Sequence, residues 1–427
     1  MSIVVPPVVN KTSVKPFRTV CYDNNLVTSR GVFLGDDPLS FSLPLLLLEL
    51  PLIFLTSHAI HLLLTPLRQP RVVTQILTGV LFGPSVIGRS FVFQETVFPP
   101  RGTFILDTIS MLSLNLFLFS IGVKTDLSLL KKPGWRAVTI GIVGSLLPFF
   151  LCLVIFAALR GSVPAELAHG TLIMTIAGRL SLSSFAVISH ALEEQGLLNS
   201  ELGRVALTAS LITDVCNWAV SSVETAAKLA VKAGSPEMAV ASVAALAAFS
   251  LFVVFVARPV ALWTVRRTPA GQLMDEGHFV AMIVAALLAA FTTEVLGYHA
   301  AFGPAMLGLA FPGGMPMGVT LTERLDSFLS GLFLPLYLVL AGYRTDFTDL
   351  GSWPTWGTLE LVVILCFVGK LVGTIAAALY FKMPFKDALI VGLMVNIKGI
   401  IEVSFLNNSG DSEVFRFFNF EFDSLLF

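Results

Sequence analysis

The sequence predicts an all-α integral membrane protein of about twelve transmembrane helices, built from two copies of one unit that lie upside down relative to each other. Three observations carry this reading. Charged residues are only 13% of the 427-residue chain, against roughly 25% in a soluble domain, too few to coat a water-facing surface. The apolar residues gather into blocks near the ~20 residues a helix needs to cross the hydrocarbon core. Short motifs also recur along the chain at one constant offset.

Residues 1–40 form a polar N-terminal segment without an apolar block at its start, so no cleaved signal peptide is expected. Its Asn10-Lys11-Thr12 sequon functions only if this end faces a lumen or the exterior. Candidate spans follow near 41–64, 72–90, 104–123, 136–159, 168–192, 203–230, 237–257, 279–296, 298–311, 325–342, 358–382 and 386–408. The second, fifth, ninth and twelfth are short or interrupted by Gly, Pro or polar residues. A broken helix survives in a membrane only where protein or a water-filled cavity satisfies the freed backbone groups. Thirteen basic loop residues, from Arg68 to Lys386, fall on one side of this topology and six on the other. The richer side is expected to be cytoplasmic, which leaves the N-terminus non-cytoplasmic. Net charge is −1 and gives no reason to expect a nucleic-acid partner. The four cysteines show neither a disulfide framework nor a metal spacing.

The repeat is read from two motifs. Phe82-Gly83-Pro84 recurs as Phe302-Gly303-Pro304, and Gly122-Val123-Lys124-Thr125-Asp126 recurs as Gly342-Tyr343-Arg344-Thr345-Asp346, both at 302 − 82 = 342 − 122 = 220. A shift of seven spans is odd, so the copies are expected to be inverted, an arrangement that in secondary transporters places the site near the midplane. Repeat one is expected over about 72–230 and repeat two over about 298–408, within a membrane domain of 41–408. The counterpart of the span around Asp214 would be centred near 214 + 220 = 434, past Phe427. The second copy is therefore expected to lack its last core helix, with 409–427 as an atypical tail.

Charges inside spans are costly and mark candidate sites. Asp214 lies mid-span, next to Thr213. A carboxylate there can hold a proton or a partly dehydrated cation, and mutual exclusion at one site suffices for antiport. It can equally cap a broken helix or pair with a lysine. Lys370 and Lys398, each flanked by apolar residues, are candidate counter-charges to Asp214 or to the C-terminal ends of broken helices. Lys398 can also snorkel to an interface. Arg179, Ser181, Ser183 and Ser184 interrupt the fifth span, and the hydroxyls can coordinate a cation or satisfy backbone groups. Glu49 and Asp107 lie in early spans and are assigned no chemistry. The sequence contains no ATP-binding motif, zinc-type pair or nucleophile elbow, so the expectation is an ion-gradient-driven transporter without cofactor or metal rather than an enzyme.

Several stretches resemble the plant cation/proton exchanger branch of the second monovalent cation/proton antiporter family. They include Arg68-Gln69-Pro70-Arg71-Val72-Val73, Leu81-Phe82-Gly83-Pro84-Ser85-Val86-Ile87-Gly88, Leu202-Gly203-Arg204-Val205-Ala206 and Lys398-Gly399-Ile400-Ile401-Glu402. The resemblance implies a sodium/proton-antiporter fold, usually a homodimer in the lipid bilayer, exchanging potassium or another monovalent cation such as sodium for protons at an endomembrane or plasma membrane. Asp214 matches the family's ion-binding aspartate, and Lys370 and Lys398 match its buried lysines. Thr213 stands where the family usually has Asn, and Lys124 where it usually has an acid. With one carboxylate in the Thr213-Asp214 pair, the expected exchange is electroneutral. The alternative expectation is a truncated, non-transporting form that acts at most as a dimer partner.

Overall fold

A computed structural model describes residues 27–67, 69, 71–125, 134–158, 177–178, 180–198, 200–233, 236–269, 272–313, 316–345 and 353–397, among which there is no strand. The helices are α1 (Ser42–Leu64), α2 (Arg71–Phe82), α3 (Phe91–Val97), α4 (Pro100–Lys124), α5 (Gly134–Ala158), α6 (Phe185–Glu194), α7 (Glu201–Ala233), α8 (Pro236–Phe252), α9 (Arg258–Arg267), α10 (Glu276–Val295), α11 (Phe302–Ala310), α12 (Met317–Phe328), α13 (Leu334–Tyr343), α14 (Trp353–Tyr380) and α15 (Phe385–Val395). Single π-helical turns, Val253–Ala257 and Leu329–Phe333, run α8 into α9 and α12 into α13. Among the described residues, eight helical stretches are long and apolar enough to cross a membrane. They do not fix the expected twelve: parts of the fifth and twelfth spans lie outside the described residues, and the ninth is the nine-residue α11.

Large apolar side chains such as Leu55, Leu63, Phe255 and Phe291 point outward, where lipid tails would meet them. Lipid supplies no hydrophobic drive between helices, so packing must come from close approach and internal polar contacts. The helices form two bundles. One combines α1, α2, α4 and α10 to α13; the other combines α5, α6, α7, α14 and α15. A shared apolar seam, including Phe117, Leu118, Phe185, Leu207 and Leu338, joins them.

The contacts expose the repeat and correct its register. At the C-terminal end of α4, Thr125 N–H donates to Gly122 O, and after α13 Thr345 N–H donates to Gly342 O, so this motif pair keeps the offset of 220. The Phe-Gly-Pro pair does not. Phe82 closes α2, whereas Phe302 opens α11. Pro84 follows a helix end, which a proline helps to stop. Pro304 sits in a first turn, where its missing N–H costs nothing. The same tripeptide is a stop in one copy and a start in the other. The true counterparts are glycines at a crossing: Gly79 lies against the carbonyl of Val339, and Gly308 against the carbonyl of Phe119. Here 339 − 119 = 220, but 308 − 79 = 229.

Inversion is visible in two counterpart pairs. Lys124 Nζ lies 2.6 Å from Asp326 Oδ1, and Arg344 lies 2.6 Å from Asp107 Oδ1. As α4 advances from 107 to 124, its counterpart rod α12–α13 falls from 344 to 326, so the two are antiparallel. Likewise Gly144 meets Thr374, Pro148 meets Gly369, and Cys152 Sγ lies 3.4 Å from Cys366 Sγ, which makes α5 and α14 antiparallel.

Candidate functional site

The second bundle contains two places, at residues 181–184 and at the end of α15, where helical structure stops, and the two meet. In the first, helical hydrogen bonding stops at Ser181, residues Ser181–Ser184 are non-helical, and α6 starts at Phe185. Polar serines with local hydroxyl–carbonyl bonds favour such a stop: Ser181 Oγ donates to Ala177 O at 2.6 Å. In the second, α15 ends at Val395, with Asn396 N–H bonding back to Gly392 O. Ser183 Oγ donates to Val395 O at 2.7 Å and ties the two breaks together.

A broken helix leaves carbonyls without partners at one end and N–H groups at the other. Both ends are served by charged side chains. Lys370 Nζ, fully buried on α14, donates to Ser181 O at 2.9 Å, placing a cation where the helical hydrogen bonding from Ala177 to Ser181 ends. Asp214 Oδ2, on α7, accepts from Phe185 N–H at 3.0 Å, placing an anion at the positive end of α6. Asp214 is 4% exposed. A charged hydrogen bond of this kind contributes on the order of 1.5–3 kcal/mol. The break thus holds opposite charges on its two lips.

Each expected site residue can now be located. Asp214, Ser183, Ser184 and Lys370 are buried around the crossing. Thr213 is buried beside Asp214, but its hydroxyl donates to Ala209 O of its own helix at 2.7 Å. Ser183 is engaged in holding the two segments together. Ser184 Oγ is buried and has no hydrogen-bond partner among the described residues. Arg179 and Lys398 lie outside the described residues. Lys124 pairs with Asp326, far along the chain from the crossing. Glu49 is fully buried in the stripe Leu45, Glu49, Ile53, Ser57 of α1, away from this site, with neither oxygen partnered among the described residues.

Two residues at the site escaped the sequence reading. Asn217 is buried one turn beyond Asp214. At about 100° per residue it points between Thr213 and Asp214, a spacing that could have found it. Asn396 is 1% exposed. Its Nδ2 donates to Phe367 O at 3.2 Å, while its Oδ1 is buried and unpartnered among the described residues. No local signal separates it from its polar neighbours in sequence.

Such a set of buried oxygens around one carboxylate, with a lysine on the opposite lip, suits a small cation that has shed part of its water, or a proton in its place. Comparisons with known proteins agree with the fold. The family described as "Sodium/hydrogen exchanger, transmembrane" matches residues 52–414. Among curated proteins, Cation/H(+) antiporter 15 of Arabidopsis thaliana is 37% identical over 92% of this chain and 48% of its own length. Cation/H(+) antiporter 17 of the same plant is 36% identical over 93% and 48%, and Cation/H(+) symporter 13 is 33% identical over 90% and 46%. The chain spans about half the length of the curated relatives it matches. The sodium proton antiporter MjNhaP1 from Methanocaldococcus jannaschii superposes with a TM-score of 0.59 over 90% of this chain and 96% of its own, at 15% identity, a likeness of fold. By its sequence match and by this fold, the chain belongs to the transmembrane sodium/hydrogen exchanger family.

Proposed function

We propose that the protein exchanges a monovalent cation, potassium or sodium, for a proton across the membrane, one for one, at Asp214. The observation that carries this is the buried Asp214 carboxylate held by Phe185 N–H at the start of α6, opposite Lys370. In one state the carboxylate carries a proton; in the other the proton has left and a cation takes its place. One positive charge replaces another, so the cycle moves no net charge. Lys370 stays on the Ser181 carbonyl and balances the site, and Lys398 and Arg179 share that role. Thr213, Ser183 and Ser184 complete the polar lining. The antiparallel counterparts support repeats over about 72–230 and 298–408 within one membrane domain; a homodimer is what the family resemblance implies, and the excess of basic loop residues on one side argues for a non-cytoplasmic N-terminus.

The test is flux in proteoliposomes holding the 427-residue chain. Proton movement should follow an imposed potassium or sodium gradient without generating a membrane potential, and Asp214→Asn should abolish it. A potential that develops with transport rejects the one-for-one cycle. Exchange retained in Asp214→Asn removes the assigned role of this carboxylate.

A further inference from the structure

Buried polar atoms in folded proteins are almost always hydrogen-bonded, and an orphaned one needs a reason. At the crossing of the interrupted segments, one orphan is also fixed in direction. Asn396 caps the end of α15 and is 1% exposed. Its amide nitrogen is anchored on Phe367 O at 3.2 Å, one turn before Lys370 on α14. This bond decides the orientation of the amide: nitrogen faces α14, and the oxygen faces the other way. That oxygen has no hydrogen-bond partner among the described residues. The preceding residue, Val395, takes the Ser183 hydroxyl, so the amide lies beside the first break, two residues from the N–H that holds Asp214. Ser184 Oγ, between these two contacts in sequence, is likewise buried and orphaned.

We propose that Asn396 Oδ1 is a direct, uncharged ligand of the transported monovalent cation, so that the site draws its charge from α7 and a carbonyl-type oxygen from the end of α15. This rests on the exchange reading above. The chemistry is specific. An amide oxygen binds a bare or partly hydrated alkali cation through its dipole and has no appreciable affinity for a proton at neutral pH. Asn396 therefore acts on the cation-loaded state and not on the proton-loaded one. It sets cation affinity and the preference among alkali cations, while Asp214 alone sets the proton half of the cycle. An anchored amide also keeps its oxygen in one direction, so it discriminates by ion size, as a hydroxyl free to rotate does not.

The experiment compares Asn396→Ala, which removes the oxygen, with Asn396→Gln, which keeps an amide donor and acceptor but displaces the oxygen by one methylene, in proteoliposomes loaded with potassium, sodium or rubidium. Asn396→Ala should raise the apparent KM for the preferred cation about tenfold, the loss of one such contact, and flatten the ranking among the three cations. Asn396→Gln should keep the KM within about threefold of the unaltered chain but shift the ranking. Thermal unfolding with and without potassium gives the second readout: at one potassium concentration the cation should stabilise the unaltered chain more than Asn396→Ala. Unchanged KM and ranking in Asn396→Ala, or equal losses in both variants, overturn the proposal. Should Asn396→Ala fail to fold, a ranking in Asn396→Gln identical to that of the unaltered chain overturns it, and a shifted one supports it. If Asp214→Asn abolishes exchange while Asn396→Ala does not alter cation dependence, this inference fails alone. If Asp214→Asn still exchanges, the underlying reading fails first.

Discussion

In the bundle of α1, α2, α4 and α10–α13, the described ion pairs sit near the ends of the long helices: Lys124 with Asp326, and Arg344 with Asp107. Its middle is closed by backbone-to-backbone contacts at Gly79 and Gly308. In the bundle of α5–α7, α14 and α15 the charges lie in the middle, where Lys370 and Asp214 each hold one lip of a broken helix. Each of these charges is held at a main-chain group, and oxygens of Ser184 and Asn396 nearby are left over. Each bundle draws helices from both halves of the chain; the first leaves Glu49, Ser113 and Ser120 unpartnered among the described residues, whereas the second leaves Ser184 and Asn396 unpartnered beside a charged helix break. Backbone packed against backbone at the Gly79 and Gly308 crossings resists deformation. Leftover oxygens beside a carboxylate and a lysine give the second bundle a polar centre that could take an ion.

This contrast predicts different failures on the two sides. The largest effect should come from Gly308→Leu: the side chain would strike the Phe119 carbonyl and the Gly122 backbone. Overpacking costs about 1–3 kcal/mol where side chains can yield, and more against backbone. Folded protein should be lost in fluorescence-detected size exclusion. A well-folded, active Gly308→Leu would break the claim that this crossing is a rigid closure. Next, Lys370→Met should lower exchange by roughly 10- to 100-fold, the loss of one charged hydrogen bond, with the protein still folded. An active Lys370→Met would show that the lips need no charge balance. Smaller again is the scaffold pair. Lys124→Asp should lower thermal stability by about 1 kcal/mol, and adding Asp326→Lys should recover most of it; a double variant no better than the single would remove the pairing. The smallest effect is a probe of inversion. Mild oxidation should link Cys152 to Cys366 within one chain, read as a shift on non-reducing gels lost in Cys366→Ser. No link would put the antiparallel contact of α5 and α14 in question.

Long apolar periods made most of the helices legible: 41–64 against Ser42–Leu64, and 136–159 against Gly134–Ala158. In a bilayer the run length itself is the signal. The burial of Asp214 and Lys370 was legible because a charge inside an apolar span is costly. The register of Phe82-Gly83-Pro84 was not, since a proline ends one helix and begins another with the same letters. Nor were the partners of the site residues legible. Ser183 reaches Val395 across 212 residues, and Lys370 reaches Ser181 across 189. Only the three-dimensional crossing tells an anchored amide at Asn396 from any other polar residue in an apolar run.

A proton and a cation that share Asp214 must exclude each other. The most direct measurement is the apparent KM for potassium or sodium as a function of pH in proteoliposomes. Competition for one carboxylate predicts a KM that falls by about tenfold per pH unit on the acid side and levels off once the proton has gone, at constant maximal rate. A KM that does not move with pH, or a maximal rate that carries the whole pH dependence, would contradict a shared site.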